Sequence, residues 1–143
     1  MRKENLVMQF FETTQLVLRE IQNQLAAFNL PEEITGQRLR VLWEIAGSEN
    51  MRMSDLAARM GIQPRTVTQF IDALESAGFV TRTPDPHDRR ATLLRLTPSA
   101  QPVVDSFHAA VGIVGEQIST IISAEDRAVL QSSLSRIAGL LQN

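Results

Sequence analysis

The polar side chains best suited to specific chemistry cluster at the start of one predicted helix. Pro64 suits a first helical position because its missing N–H costs nothing there, and Val67, Ile71 and Leu74 recur at the spacing of a buried helical face. The opposite face carries Arg65, Thr66, Thr68 and Gln69. Arg can bond guanine and Gln can bond adenine through two hydrogen bonds, so this face has the chemistry of base recognition in a major groove.

A second polar group lies between two predicted strands. Residues 79–82 and 91–96 predict a hairpin, and the connection from Thr83 to Arg90 contains two prolines. This connection looks too long for a two-residue turn. It ends in adjacent arginines, Arg89 and Arg90, whose planar guanidinium groups suit phosphates and base edges. The connection is therefore a second candidate site for contact with nucleic acid.

The elements around these groups predict a winged helix-turn-helix. Ser54 is predicted to cap a short helix over 55–60, and Gly61 permits the left-handed backbone of a tight turn. The next helix runs from Pro64 to a stop at Gly78, and the hairpin follows. In such a fold one helix enters the major groove while the hairpin reaches an adjacent groove.

Amphipathic helices are predicted on both sides of this segment. Apolar residues recur at three- and four-residue steps over 6–28, after Thr35, after Pro98, and after the capping pair Ser123 and Asp126. The expected fold class is therefore mainly α with a small β-wing, an α/β winged helix-turn-helix. A length of 143 residues, 43% of them hydrophobic, fits a single domain over 1–143.

Composition excludes several classes of function. The sequence has no Cys, which excludes disulfides, thiolate metal sites and thiol redox sensing. Two well-separated His do not suggest a metal site, and no catalytic constellation or phosphate-binding Gly loop is present, so we expect no enzyme, metal or cofactor. No apolar run approaches the ~20 residues of a membrane span. We therefore expect a cytoplasmic protein that does not contact membranes.

Charge is distributed unevenly along the chain. The net charge is −2, but residues 35–97 hold nine Arg against seven acidic residues, whereas the segments before and after carry −2 each. Basic charge concentrated in the segment with the candidate contacts is compatible with a DNA-binding face on an otherwise acidic protein.

The hairpin sequence is similar to the wing signature of the MarR family of transcriptional regulators. Residues 85–97 place an Asp and an Arg two positions apart and end in Leu-Thr, and residues 66–80 resemble the recognition helix of the same family. The similarity is close over 35–97 and looser towards both ends. One departure is Gln63 at the cap position of the recognition helix, where Ser, Thr or Asp is usual, so its first turn is expected to fray without DNA.

The resemblance implies a homodimer on a pseudo-palindromic operator, commonly a repressor released by a small aromatic or anionic ligand. It assigns 35–97 to the DNA-binding lobe, and 1–30 and 98–143 to interlocking dimerisation helices. By position, Arg90 is the wing arginine that enters the minor groove, Asp88 the acid that braces it, and Arg89 a phosphate contact. The physics agrees, because a narrow minor groove attracts an inserted Arg and a carboxylate can fix that side chain.

Four aromatic residues on the first two helices leave two interpretations open. Phe10, Phe11, Phe28 and Trp43 are expected mainly to pack in the core and the dimer interface, or else to line a crevice for the effector. His108 is expected to be a core or interface residue for the same reason of helical spacing.

An alternative function also stays open at this point. The arginine-rich face of a winged domain could bind another protein instead of an operator. The salt dependence of DNA binding separates the two, because only phosphate contacts give a steep slope.

Overall fold

The computed structural model describes residues 5–142 and has the predicted fold class. Helices and a small antiparallel sheet follow one another in the order of a winged helix-turn-helix. The elements are α1 (Leu6–Leu25), a 3₁₀ turn (Ala26–Phe28), α2 (Gly36–Ala46), β1 (Met51–Arg52), α3 (Met53–Met60), α4 (Pro64–Ser76), β2 (Val80–Asp85), β3 (Asp88–Leu96), a 3₁₀ turn (Pro98–Ala100), α5 (Gln101–Ser119) and α6 (Ala124–Leu141).

The described chain packs as two compact units. Residues 25–109 form one, here called the lobe, which contains α2, α3, α4 and the sheet. Residues 5–24 and 110–142 form the other, here called the helical unit, from most of α1, the second half of α5, and α6. The assignment of DNA binding to 35–97 and of dimerisation to 1–30 and 98–143 stays a prediction.

The lobe has the core that the sequence pattern predicts. Val67, Ile71 and Leu74 on α4 are buried, and they share the core with Leu42 of α2 and Leu56 of α3. The turns around α4 also follow the prediction, since Gly61 has φ +63° and Gly78 has φ +85°. These left-handed conformations are strained for side chains with a Cβ, which explains glycine at both points.

The start of α3 differs from the prediction. The helix begins at Met53 and Arg52 is the residue before it, so Ser54 lies inside the first turn and does not cap it. The carboxylate of Asp55 instead accepts a hydrogen bond from the backbone N–H of Arg52 at 3.4 Å. An acidic residue in the first turn suits the positive end of the helix dipole.

The hairpin, here called the wing, has a tighter turn than the sequence suggested. The sheet order is β1-β3-β2, and β2 and β3 pair antiparallel from Val80↔Leu96 out to Asp85↔Asp88, with an irregularity between Pro84 and Asp85. Only Pro86 and His87 lie between the strands, so the prediction of a long connection over 83–90 was wrong. The edge position of β2 explains the difference, because an edge strand tolerates a proline that lacks an N–H.

The helical unit exposes much of its apolar surface. Val114 is buried, whereas Val111 is 40% exposed, and Ile121 follows the end of α5 and is 81% exposed. Ser123 caps α6 as predicted, since its hydroxyl accepts a hydrogen bond from the backbone N–H of Asp126. No helix within residues 5–142 is long and apolar enough to cross a membrane.

Candidate nucleic-acid interface

The first turns of α4 present an exposed polar face. Arg65, Thr68 and Gln69 are exposed and Thr66 is half-buried. The hydroxyl of Thr68 donates to the backbone carbonyl of Pro64 at 3.0 Å, so the methyl group and oxygen lone pairs of that threonine stay available for a ligand. Gln63 precedes the helix and its side chain makes no capping hydrogen bond, as predicted for a weak cap. Fraying of the first turn stays a prediction.

Most arginines of the lobe are occupied by partners within the protein. Of the nine between residues 35 and 97, six make side-chain ion pairs or hydrogen bonds in the described structure. Arg38 bonds the carbonyl of Glu33, Arg40 and Arg59 pair with Glu44, Arg52 with Asp85, Arg82 with Asp72 and Glu75, and Arg95 bonds the carbonyl of Glu49.

The other three arginines are Arg65, Arg89 and Arg90. All three are exposed, and none of their side chains has a hydrogen-bond or ion-pair partner within residues 5–142. Their donors are therefore satisfied only by solvent, and they can bond phosphate or base edges without first breaking a contact within the protein. The unpaired arginines of the lobe thus coincide with the three that the sequence selects as DNA contacts.

Four of the seven acidic residues between positions 35 and 97 form ion pairs with the occupied arginines. Glu44 lies 3.7 Å from both Arg40 and Arg59, and Asp72 and Glu75 flank Arg82 on the C-terminal half of α4. Opposite charges at these distances largely cancel in the far field. The arginines that have no partner within residues 5–142 lie at the start of α4 and on the wing.

Asp88 has a different partner from the one expected. Its carboxylate accepts a hydrogen bond from the backbone N–H of Arg90 at 3.0 Å, and no ion pair joins Asp88 to the Arg90 guanidinium in the described structure. The carboxylate shapes the backbone that carries Arg90. Whether it also braces the Arg90 side chain on DNA stays a prediction.

Asp85 is a functional candidate that the sequence analysis missed. It is 5% exposed and is the buried charged residue among those described. Its carboxylate accepts a hydrogen bond from the backbone N–H of His87 at 2.9 Å. It also forms an ion pair with the Arg52 guanidinium, with 2.7 Å between Nη2 and Oδ2. The His87 N–H lowers the pKa of Asp85 most, and the Arg52 guanidinium lowers it further, while burial opposes both. An Asp two residues before such an N–H is a turn signal, but nothing in the sequence points to Arg52.

The four aromatic residues are exposed in the single chain. Phe10, Phe11, Phe28 and Trp43 are between 37% and 56% exposed, so none of them is buried in the core of the single chain. The indole of Trp43 meets the ring of Phe107 edge to face, with centroids 6.0 Å apart. Packing in a dimer and contact with an effector stay predictions for all four.

The titratable residues outside this interface do not form a further site. His108 is exposed in the single chain and so lies outside its core, and its placement in an interface stays a prediction. Among the described residues no group of His, Asp and Glu is arranged to hold a metal ion.

Comparison with known proteins shows which sequences and folds this chain is similar to. A sequence model of the MarR family matches residues 34–92, which include both α4 and the wing. The chain is 30% identical over 110 residues to the uncharacterized HTH-type transcriptional regulator YdgJ of Bacillus subtilis (strain 168), a match that covers 77% of this chain and 67% of that protein.

Solved structures share the fold over almost the whole chain. The transcriptional regulator PA3341 is 27% identical, with a TM-score of 0.80 over 97% of this chain and 99% of that chain. The transcriptional repressor CouR, solved bound to a 23-mer DNA duplex, is 24% identical, with a TM-score of 0.78 over 94% of this chain and 93% of that chain. At that identity the likeness to CouR shows the fold alone.

Proposed function

This chain belongs to the MarR family of transcriptional regulators, and from that premise we propose that it is a homodimeric repressor that binds a pseudo-palindromic operator through α4 and the wing. In the proposed complex α4 lies in the major groove, where Arg65 and Gln69 bond base edges and Thr66 and Thr68 contact bases or phosphates. Arg90 enters the minor groove with its backbone held by Asp88, and Arg89 bonds phosphate.

The observation that carries the proposal is the selective pairing of arginines. A protein-interaction module or a plain solvated surface gives no reason for the unpaired guanidinium groups to fall at Arg65, Arg89 and Arg90, on the two elements that reach DNA grooves in this fold. Phosphate is the partner that suits unpaired guanidinium forks.

The homodimer is proposed from the apolar surface of the helical unit. Exposed large hydrophobic side chains are concentrated on α1 and α6, among them Leu6, Val7, Phe11, Val129, Leu140 and Leu141, each between 56% and 77% exposed. Large apolar side chains exposed in such number on two helices usually mark an interface. A second copy that covers these helices would place two lobes on half-sites about 10 bp apart, or slightly more.

Sedimentation tests the dimer. We expect a dimer at micromolar concentration, and a shift towards monomer when Val129 is changed to Asp. The matched control is Ser132→Asp, which adds the same charge to the same helix at an exposed polar position. A wild-type protein that sediments as a monomer at this concentration contradicts the proposal.

Release by a small aromatic or anionic effector is the second part of the proposal. It is supported by the exposure of Trp43. Trp43 is also the only tryptophan of the sequence, so the fluorescence of the protein's tryptophan reports on the surroundings of this one residue. A compound that releases DNA is expected to change the emission of Trp43. A compound that releases DNA and leaves this emission unchanged would place the effector site elsewhere.

Selection of bound duplexes from random-sequence DNA tests the main function. The wild-type protein is expected to enrich a pseudo-palindrome, and its affinity is expected to fall steeply with salt, with a slope of about −0.9 per neutralised phosphate. An enriched pool without two-fold symmetry contradicts operator binding by a dimer. Absence of salt-dependent binding would favour the protein-interaction module instead.

A further inference from the structure

The outer part of the wing lacks the support of a third strand. β1 pairs with β3 only at Leu93 and Leu94, so the segment 84–92, here called the outer wing, is a two-stranded ribbon. A two-stranded hairpin alone is marginally stable in water. Arg89 and Arg90 lie in this segment, and their positions therefore depend on whatever holds it.

One side chain from outside the wing ties the outer wing to the rest of the lobe. The guanidinium of Arg52 reaches the carboxylate of Asp85, with 2.7 Å between Nη2 and Oδ2. Arg52 is the last residue of β1 and immediately precedes α3. The other oxygen of Asp85 accepts the His87 N–H, so the same carboxylate closes the turn at the tip. Both carboxylate oxygens are in use, and the residue is 5% exposed.

A second tie holds the inner part of the wing to the recognition helix. Arg82 on β2 contacts Asp72 on α4 and lies 3.1 Å from the carboxylate of Glu75 on the same helix. The hydroxyl of Thr97, after the end of β3, donates to the carbonyl of Gly78, after the end of α4. The part of the wing near Arg82 and Thr97 is thus fixed to α4 and to Gly78 after it, whereas the outer wing is fixed to the residue that precedes α3.

We propose that Arg52 and Asp85 are positioning residues for DNA recognition: their ion pair fixes the outer wing to the helix-turn-helix, so that Arg90 is held at a set distance from Arg65. The inference rests on the proposed function, since it assumes that these two arginines contact DNA. The pair touches no base or phosphate in this proposal and acts only through the geometry of the wing.

Preorganisation gives the pair an effect on affinity that differs from that of a contact. A wing that is already ordered loses less conformational freedom on binding, which is worth about threefold to tenfold in affinity per long side chain that is fixed. The number of phosphates neutralised does not change when the tie is broken. Loss of the tie should therefore weaken binding without changing its salt slope.

A fixed wing should also add specificity. If Arg90 is held at one distance from the recognition helix, it meets the minor groove at one place beside each half-site, and a narrow A-tract groove there is favoured. A mobile wing can place Arg90 at any of several neighbouring positions along the minor groove. Breaking the tie should therefore reduce the preference for A-tract over G·C flanks.

Variants at Arg52 and Asp85 distinguish a positioning role of the ion pair from a direct contact with DNA and from a general effect on folding. Arg52→Met keeps the straight aliphatic stem and removes the charge, Asp85→Asn keeps an acceptor for the His87 N–H, and Arg52→Lys restores the charge. Arg59→Met is the matched control, because it removes an ion pair of the same lobe, with Glu44 at 3.7 Å, that joins α3 to α2 and does not involve the wing. The DNA probes are a selected duplex with A-tract flanks and the same duplex with G·C flanks.

We expect Arg52→Met and Asp85→Asn to bind the A-tract duplex about threefold to tenfold more weakly, with less discrimination between flanks and an unchanged salt slope. In the DNA-free protein the amides of residues 87–92 should exchange faster in both variants. Arg52→Lys should recover part of the affinity, and Arg59→Met should match the wild type. If Asp85→Asn fails to fold, Arg52→Met decides the same question, because the carboxylate then keeps its bond from His87.

Two results would overturn the inference. Wild-type affinity and wild-type amide exchange in Arg52→Met would show that the tie does not hold the wing. A salt slope reduced by about one unit would show that Arg52 itself binds phosphate. If the wild-type protein binds neither duplex, the proposed function fails, while amide exchange in the DNA-free protein still tests whether the ion pair orders the outer wing.

Discussion

The carboxylate of Asp88 accepts a hydrogen bond from the backbone N–H of Arg90 at 3.0 Å, while the guanidinium of Arg90 has no partner within residues 5–142. The acid therefore fixes the main chain of the arginine and leaves its charge unneutralised. A side-chain ion pair would have held the guanidinium in place, but it would also have competed with phosphate for the same donors. In the DNA-free protein the arrangement favours an available arginine on an ordered backbone.

Arg90→Ala is expected to weaken binding most on operators with A-tract flanks, because the narrow groove there concentrates negative potential. Asp88→Ala should cause a milder loss of the same kind, and the double variant should be no worse than Arg90→Ala, since the carboxylate acts through its neighbour. Affinities on A-tract and G·C flanks measure this.

The matched control for Asp88 is Asn, which keeps an oxygen acceptor for the Arg90 N–H and removes the charge. Asp88→Asn should therefore retain the flank preference that Asp88→Ala loses. Additive losses in the double variant, or equal losses on both kinds of flank, would mean that the two residues serve the fold of the wing alone.

Arg65→Ala is expected to cost about 1–3 kcal/mol of binding free energy on the operator and to relax the preference at one base position. The reason is that Arg65 is exposed on the first turn of α4 and unpaired, so its fork is free to bond a base edge. Selection with the variant protein measures the preference. An equal loss on every sequence would make Arg65 a phosphate contact.

Arg89→Ala should behave as the loss of a phosphate contact. We expect binding to weaken about uniformly across sequences and the salt slope to fall by about one unit. Arg95→Ala is a suitable comparison, because Arg95 is also an exposed arginine of β3 but bonds the carbonyl of Glu49. A change in base preference with an unchanged slope in Arg89→Ala would assign it to direct readout instead.

Local signals in the sequence were sufficient for the helix-turn-helix. The spacing of Val67, Ile71 and Leu74 identified the buried face of α4, and Gly61 and Gly78 marked the left-handed turns. Each of these signals depends on the helical repeat or on the backbone freedom of one residue, and both are readable from neighbouring positions.

The ion pair that holds the outer wing could not be predicted from neighbouring positions in the sequence. Arg52 and Asp85 are far apart in sequence, and their contact exists only because β1 pairs with β3. The role of the exposed aromatic residues could not be assigned for a related reason. Hydrophobic type predicts burial in some interface, but it does not say whether the covering surface belongs to the same chain.

The pH dependence of stability should identify Asp85 as an ionised partner in the fold. Its pKa is lowered from the ordinary value of 3.8, first by the hydrogen bond from the His87 N–H and then by the Arg52 guanidinium, against the opposing effect of burial. A carboxyl group with a lowered pKa in the folded state stabilises that state above its unfolded pKa, and this contribution is lost as pH falls towards the folded pKa. The free energy of unfolding of the wild type should therefore exceed that of Asp85→Asn by a constant amount above about pH 5.

The difference should shrink as the pH falls through and below 3.8, because the wild-type carboxyl then takes up a proton that the amide cannot. Urea unfolding of the two proteins across this range measures it. The free energy of unfolding of Arg52→Met, compared with that of Asp85→Asn, should fall over the same pH range by a smaller amount. The reason is that the His87 N–H still lowers the pKa of Asp85 when the guanidinium is gone. A difference that grows on acidification would contradict the ionised pair, and a difference that does not change with pH would mean that Asp85 holds the outer wing through packing and not through charge.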